Sequence, residues 1–288
     1  MLIRPAASRR LGFVRFAWLA LVAASWAAPA GAQPPPVTRV ACGEFEAVPS
    51  GTSNGRPSRL SIQKNGRLMV TISDWAIVRV DCTDFNNDQT FELLVSSHSG
   101  GAHCCETVRV WALEKKPRQL LEYAAGNAGG FELKDLDGDG RQELLLGDDS
   151  FAYFGDLCYA CSPSQLPLVA CGTDRGFEDC TRKFPDVVKA AIDRIAERLK
   201  PPADDRDLPF VKGAALGTFA LWSLLGDEEK GLQVIRDAVK SDDVMKWLER
   251  ARPQVRDWMA ARSKRLKDGS HQPPQPAATS HRPLAASH

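Results

Sequence analysis

The feature that most constrains the fold is a pair of matching acidic segments, residues 84–93 and 135–144, which start 51 residues apart. In each segment, oxygen-bearing side chains alternate with other residues and lead directly into a Leu-Leu pair typical of a buried strand. One such segment is compatible with an accidental acidic turn, but two copies in the same register indicate an internal repeat. The chain is therefore predicted to contain a repeated β unit.

Residues 135–144 have the pattern of a calcium-binding loop. Carboxylates occupy loop positions 1, 3, 5 and 9, and Gly140 at position 6 allows the positive φ of a sharp turn. Calcium takes six to eight oxygen ligands at about 2.3–2.6 Å, and a backbone carbonyl at position 7 adds one more oxygen. The predicted calcium ligands are Asp135, Asp137, Asp139, Glu143 and the backbone carbonyl of Arg141.

Residues 84–93 offer a second, less favourable set of ligands. This loop has three carboxylates where the other has four, and Gln89 stands at the position of Gly140. A non-Gly residue at positive φ costs about 1–2 kcal/mol. We therefore expect the site at residues 135–143 to bind calcium more tightly, and the site at residues 84–92 to be weak or empty. Its predicted ligands are Asp84, Asn86, Asp88, Thr90 and Glu92.

The repeated motif differs from an EF-hand, which has a bidentate Glu at position 12 and flanking helices. Position 12 is Val95 in one copy and Leu146 in the other, and strands are predicted on both sides. The pattern D-x-[DN]-x-D-G-x-x-[DE]-L resembles the FG-GAP or VCBS repeat family, known from the calcium-binding hairpins of integrin-type β-propellers. Residues 135–144 match it fully, and the first copy departs at Gln89.

This resemblance covers residues 77–160 and implies calcium binding and a β-repeat, without implying a substrate. Complete propellers have typically four to eight blades. The β region, residues 39–183, has room for about three units of the observed spacing. We therefore expect an incomplete, propeller-like stack of antiparallel sheets.

The predicted fold class is α+β, with an antiparallel, partial propeller-like β-repeat domain followed by a small helical domain. Short runs rich in Val, Ile, Leu and aromatic residues fill the β region, and Asn65-Gly66 between two such runs is a strong hairpin signal. After Pro185, apolar residues recur at helical spacing. The predicted parts are a signal peptide (1–32), a flexible leader (33–38), a disulfide-rich β-repeat domain (39–183), a helical domain (184–267) and a disordered tail (268–288).

Composition and the first residues indicate a secreted or periplasmic protein. A basic segment, an apolar run and Ala30-Gly31-Ala32 form the pattern of a cleaved signal peptide, and no later apolar stretch is long enough to span a membrane. A charged fraction of 25% and a net charge of +1 give no electrostatic case for nucleic acid. The predicted partner is an extracytoplasmic protein or polysaccharide of unknown identity.

Eight cysteines follow the signal peptide, and an even number in an exported chain favours disulfides. Cys171 and Cys180 bracket a predicted hairpin and form the pair that the sequence favours most. Two alternatives stay open. One is a redox-active Cys-x-x-Cys at Cys158 and Cys161. The other is a transition-metal site, whose ligands would be His98, His103, Cys104 and Cys161.

The predicted function is that of an exported, calcium-stabilised β-repeat protein with a binding or scaffold role. No nucleophile elbow, P-loop, dinucleotide fingerprint or H-E-x-x-H motif is present, and no catalytic residue is assigned. The alternative is an extracytoplasmic enzyme. It would be a metal-assisted hydrolase around His98 and Asp148, or a thiol oxidoreductase that uses Cys158 and Cys161.

Overall fold

The computed structural model describes residues 37–101, 105–163 and 165–268. The predicted signal peptide, most of the leader, His103, Cys104 and all but the first residue of the predicted tail lie outside the described residues. No helix in the described ranges combines the length and apolar character that crossing a membrane requires.

The β region consists of three four-stranded antiparallel sheets, which we call sheets I, II and III. Within each sheet the strands follow one another in chain order, as they do in the blades of a propeller. The α+β class and the propeller-like arrangement are confirmed. Sheet I contains β1 (Val40–Cys42), β2 (Phe45–Ser50), β3 (Arg59–Lys64) and β4 (Arg67–Ser73); sheet II contains β5 (Ala76–Thr83), β6 (Glu92–His98), β7 (Glu106–Ala112) and β8 (Arg118–Gly126); sheet III contains β9 (Phe131–Lys134), β10 (Glu143–Asp148), β11 (Leu166–Thr173) and β12 (Gly176–Asp179).

The predicted hairpin at Asn65-Gly66 joins β3 to β4. Both turn residues have positive φ, 50° at Asn65 and 74° at Gly66, which is the geometry that two-residue hairpins require. Lys64 and Arg67 face each other across the turn and close the ladder. Local turn chemistry therefore fixes the register beside the turn, up to the shift in pairing between Ile62 and Gln63.

Sheet II lies between the other two sheets, so its strand β6 is buried on both faces. Leu93 and Val95 pack in a cluster with sheet I residues such as Ile62. Leu94 points the opposite way and packs with sheet III residues such as Leu168. Because successive side chains of a strand alternate between faces, two buried faces demand consecutive apolar residues. This explains the Leu-Leu pair that follows the first acidic segment.

Four helices follow the sheets: α1 (Pro185–Ala196), α2 (Leu208–Leu224), α3 (Glu228–Val239) and α4 (Asp242–Asp268). Helix α2 is buried along most of its length and packs against the other three. Phe151 and Leu157, from the connection between β10 and β11, belong to the same hydrophobic core as the helices. The predicted domain boundary after residue 183 stays a prediction.

Helix α4 is joined to sheet III through a buried group of charges. Asp148 Oδ2 accepts hydrogen bonds from Arg265 Nη2 at 2.7 Å and from Trp258 Nε1 at 2.9 Å. Arg262 Nη1 lies 3.3 Å from the same oxygen, and Arg262 Nε donates to Asp179 Oδ2 at 2.8 Å. Each buried charge therefore has a partner of opposite sign, as burial requires.

Disulfides tie the β region together. Cys42–Cys82 joins β1 of sheet I to β5 of sheet II, and the predicted Cys171–Cys180 pair is confirmed. Cys158 and Cys161 form a third disulfide, across a short 3-10 helix over Tyr159–Cys161. Cys105 is also disulfide-bonded. Disulfide formation, which the sequence favoured, is therefore confirmed for the described cysteines.

Candidate metal centre

The two acidic segments occupy the same place in sheets II and III. The first acidic loop (residues 84–92) joins β5 to β6, and the second acidic loop (residues 135–143) joins β9 to β10. In sheet I the equivalent connection between β1 and β2 consists of Gly43 and Glu44 alone. The repeat of acidic loops is thus built on a repeat of strand pairs, with the first sheet lacking the loop.

Asp135 organises the second acidic loop through its own carboxylate. Its Oδ1 accepts a hydrogen bond from the N–H of Gly138 at 2.7 Å, and its Oδ2 accepts one from the N–H of Gly140 at 3.0 Å. Gly138 and Gly140 have φ values of 78° and 87°, in the region that only glycine enters without a steric cost. The positive φ predicted at Gly140 is therefore present.

Three predicted ligands of the second acidic loop meet at one point. Single carboxylate oxygens of Asp135, Asp137 and Glu143 all lie within 4.8 Å of one another. Glu143 is buried, and its Oε2 accepts the N–H of Leu136 at 2.8 Å. Asp139 lies outside this cluster, and its Oδ1 accepts a backbone N–H two residues further along. Three carboxylates this close repel one another, and an all-oxygen set of hard donors suits calcium.

The first acidic loop has the same turn with a different set of contacts. Asp84 accepts the N–H groups of Asp88 and Gln89 at 3.1 and 2.9 Å, and the second of these bonds corresponds to the one from Gly140 to Asp135. Gln89 has a φ of 70°, the strained conformation that the sequence predicted at this position. Asn86 Nδ2 donates to Asp88 Oδ2 at 3.0 Å, so these two predicted ligands are bonded to each other.

Glu92 is the most buried member of the first acidic loop, at 1% exposure. Burial raises the pKa of Glu92 to about 8, although the N–H of Phe85 donates to its carboxylate and opposes the shift. The negative charges of Asp88 and Asp84 act in the same direction as burial and are part of this shift in pKa. Thr90, the remaining predicted ligand, donates its N–H to Asp88 Oδ1 at 2.7 Å. Within the described ranges, the group of three acidic ligand atoms found in the second loop has no counterpart here.

The two acidic loops are hydrogen-bonded to each other. Asn87 donates from Nδ2 to the carbonyl oxygen of Gly140. In the opposite direction, Arg141 donates from Nε to the carbonyl oxygen of Asn86 at 3.2 Å. The sequence assigned Arg141 a backbone carbonyl role in its own loop, whereas its side chain bridges to the neighbouring one.

Phe85 fixes the first acidic loop against sheet III. Its carbonyl oxygen accepts the N–H of Gln142 at 2.8 Å. Its ring is buried, stacks on Phe177 at a centroid distance of 5.4 Å, and passes so close to Gly172 that a Cβ there would lie 2.9 Å from it. The loops of two sheets therefore form one continuous structure, which strand-by-strand reading of the sequence does not reveal.

Residues of the alternative hydrolase site have other contacts. His98 Nδ1 accepts the N–H of Gly100 at 2.9 Å. Asp148 is buried, and its carboxylate is engaged by helix α4 as described above. His103 and Cys104, which complete the alternative transition-metal site, lie outside the described residues. These contacts give Asp148 a structural role.

The charge of Asp148 is maintained by its partners. Burial alone would raise the pKa of this carboxyl, but Arg265 and Arg262 outweigh burial and hold the pKa below its usual range. Hydrogen bonds from Ser150 act in the same direction. The sequence offers no signal for this group, because Arg262 and Arg265 lie on a helix more than a hundred residues further along the chain.

Comparison with known proteins gives two partial matches. The chain is 37% identical over 73 residues to an uncharacterised protein of Sinorhizobium fredii, and 28% identical over 115 residues to a probable thylakoid lumen protein of Synechocystis. These matches cover 25% and 37% of this chain, and only 12% and 34% of the relatives. No protein-family profile and no solved structure matches the chain.

Proposed function

We propose that this protein is an extracytoplasmic β-repeat protein of the FG-GAP/VCBS type, which binds calcium and has a binding or scaffold role. The observation that carries the proposal is the convergence of Asp135, Asp137 and Glu143 in the second acidic loop. This loop is hydrogen-bonded to the first acidic loop, which is the other copy of the repeat. A hard cation at this point relieves the repulsion of the carboxylates. A bound cation would also stabilise the contact between sheets II and III.

The extracytoplasmic location rests on three separate observations. Residues 1–32 have the pattern of a signal peptide. The described cysteines are disulfide-bonded, and such bonds persist in oxidising compartments. One partial relative is described as a probable thylakoid lumen protein, a protein of a compartment outside the cytoplasm. Fusing residues 1–32 to alkaline phosphatase tests this part, because the reporter is active only after export.

Exposed apolar side chains support a binding role. Phe91, in the first acidic loop, is 43% exposed, and Trp75, at the start of sheet II, is 42% exposed. Aromatic residues are enriched where proteins contact partners. The proposed partner is an extracytoplasmic protein or polysaccharide, and its capture is expected to require calcium if the acidic loops organise the surface around Phe91. Trp75 lies at the opposite end of the β5–β6 strand pair, beside His98. If a chelator leaves capture of the partner unchanged, the binding role does not depend on calcium.

Titration calorimetry of the metal-free protein tests calcium binding directly. We expect one tighter binding event that disappears in Asp137→Asn, and a weaker event or none from the first acidic loop. Asp205→Asn is the matched control, because it removes one exposed negative charge from the connection between α1 and α2, in the helical part of the chain. Titrations without heat up to millimolar calcium, confirmed by equilibrium dialysis, would refute the calcium part of the proposal.

A further inference from the structure

The disulfide between Cys158 and Cys161 differs in exposure from the other described disulfides. It lies in the connection between β10 and β11, where Cys158 is exposed and Cys161 is 6% exposed, within the core of the helices. Cys42 and Cys180, by contrast, are buried members of disulfides that fasten strands. One sulfur of the Cys158–Cys161 pair is thus on the surface and the other is inside.

One backbone N–H group donates to the sulfur of the exposed cysteine. The N–H of Cys161 donates to Cys158 Sγ, with N and S 3.1 Å apart. The carbonyl oxygen of Cys158 accepts both the N–H and the hydroxyl of Ser162 at 3.0 Å, which fixes the orientation of the peptide. A hydrogen bond to sulfur favours the thiolate over the thiol, and the thiolate is the reactive form in disulfide exchange.

Cys161 is held rigidly by helix α2. Its carbonyl oxygen lies so close to Gly213 that a Cβ there would be 1.7 Å from it. The next turn of the helix brings Gly217 against Pro163 in a similar way, with a Cβ placed 3.0 Å from the ring. A Cys161 thiolate released from the disulfide would therefore stay in place beside Cys158.

Two tyrosines flank Cys158 in the connection between β10 and β11. Tyr153 is 56% exposed, and its ring centroid lies 5.3 Å from that of Tyr159, the residue that follows Cys158. Tyr153 has a φ of 56°, a left-handed conformation that is uncommon for a side chain of this size. Rigid, exposed aromatic rings are the kind of surface on which an extended peptide segment packs.

We propose that Cys158–Cys161 is a redox-active disulfide that exchanges with the cysteine thiols of a dithiol peptide. A peptide thiolate attacks Cys158 Sγ, forming a mixed disulfide, and the Cys161 thiolate leaves with the electron pair of the broken S–S bond. The second peptide thiolate then attacks the sulfur of the first peptide cysteine in the mixed disulfide. This forms the peptide disulfide and releases the Cys158 thiolate. The peptide is oxidised by two electrons and the Cys158–Cys161 pair is reduced by two.

Native-state reduction followed by peptide mapping tests the exchange. The oxidised, folded protein is incubated with a synthetic dithiol peptide, and free thiols are alkylated and located by mass spectrometry. We expect alkylation at Cys158 and Cys161, together with one oxidised peptide per protein, while Cys171 and Cys180 stay bonded. Resistance of Cys158–Cys161 to reduction until the protein unfolds would overturn the proposal.

Two single variants provide a matched comparison. Cys161→Ser leaves the exposed thiol, and we expect oxidised glutathione to form a mixed disulfide with it at least tenfold faster than with the buried thiol left by Cys158→Ser. Equal rates in the two folded variants would contradict the assignment of Cys158 as the attacked sulfur. Calcium binding is measured separately, so either proposal can fail without the other.

Discussion

Arg141 Nε lies 3.2 Å from the carbonyl oxygen of Asn86, so the second acidic loop donates a side-chain hydrogen bond to the backbone of the first. Asn87 returns a hydrogen bond to Gly140 from the first loop. Each loop therefore contributes to the geometry of the other. A cation held by one loop is expected to stabilise both, together with the junction of sheets II and III.

The reciprocal bond at Asn87 should be measurable as stability. We expect Asn87→Ala to lower the free energy of unfolding by about 1 kcal/mol more than its control, since it removes a hydrogen bond across the loops. Asn54→Ala is the control, because Asn54 also has positive φ, 47° against 57° at Asn87, and lies in sheet I. Urea unfolding of both variants makes the comparison. Equal losses in the free energy of unfolding would show that the effect comes from the positive φ alone and that the hydrogen bond to Gly140 does not contribute.

The strained turn at Gln89 can be relieved. Gln89 has a φ of 70°, where glycine pays no steric cost, so Gln89→Gly should stabilise the protein by about 1 kcal/mol. The same change gives the first acidic loop the glycine that the second loop has at this position, and it should strengthen calcium binding by the first loop. Gln89→Ala keeps the strain and removes the same side chain, so it should give neither effect. A gain of similar size in both variants would point to the side chain instead of the backbone.

Acid should weaken the attachment of helix α4. The pKa of Asp148 is lowered in the folded protein despite its burial, because Arg265 and Arg262 favour the ionised form. The stabilisation that results is fully present above the unfolded pKa, about 3.9, and is lost as the pH falls through the lower folded value. Asp148→Asn should lower stability at neutral pH by about 3–5 kcal/mol, because Arg265 loses the buried carboxylate that neutralises it and Arg262 keeps only Asp179.

Denaturant unfolding of wild type and Asp148→Asn between neutral pH and the acid range checks this sign. The difference between the two proteins should be largest at neutral pH and should shrink as acid protonates Asp148 in the wild type. A difference that is constant across the whole range would show that the charge of Asp148 contributes nothing.

Gly213 should tolerate no side chain, although it lies within a helix. In most helices Gly→Ala gains up to about 1 kcal/mol in helix propensity. Here a Cβ would lie 1.7 Å from the carbonyl oxygen of Cys161, so we expect Gly213→Ala to lower the thermal midpoint strongly. Gly217→Ala, whose Cβ would meet side chains at 3.0 Å or more, should cost less. An unchanged thermal midpoint in Gly213→Ala would mean that the backbone at Cys161 can move away from the new Cβ at little cost.

Features that depend on local chemistry could be predicted from the sequence. The turn at Asn65-Gly66, the positive φ at Gly140 and Gln89, and the Cys171–Cys180 pair each involve residues close together in the chain. Such features follow from backbone sterics and short loop closures, which a few residues determine. The class of the fold was also accessible, because the hydrophobic period changes after Pro185.

Features that depend on the packing of distant segments could not be predicted. Nothing in the sequence near Asp148 indicates its partners Arg262 and Arg265 on helix α4. Likewise, Arg141 reaches a backbone oxygen of Asn86 only because two sheets stack in one particular order. Asp139 fits the ligand motif by spacing, yet its carboxylate lies outside the group of converging oxygens, and its Oδ1 accepts the N–H of Arg141.

Thermal unfolding of the exported protein, stripped of metal and then supplied with calcium, tests the central claim most directly. At a calcium concentration of 100 times the dissociation constant, stabilisation of about 2.7 kcal/mol should raise the midpoint by roughly 5–10 °C. This shift should vanish in Asp137→Asn and persist in Asp205→Asn. A midpoint that does not move in millimolar calcium would contradict the account, and the acidic loops would then be ordinary turns held by their own hydrogen bonds.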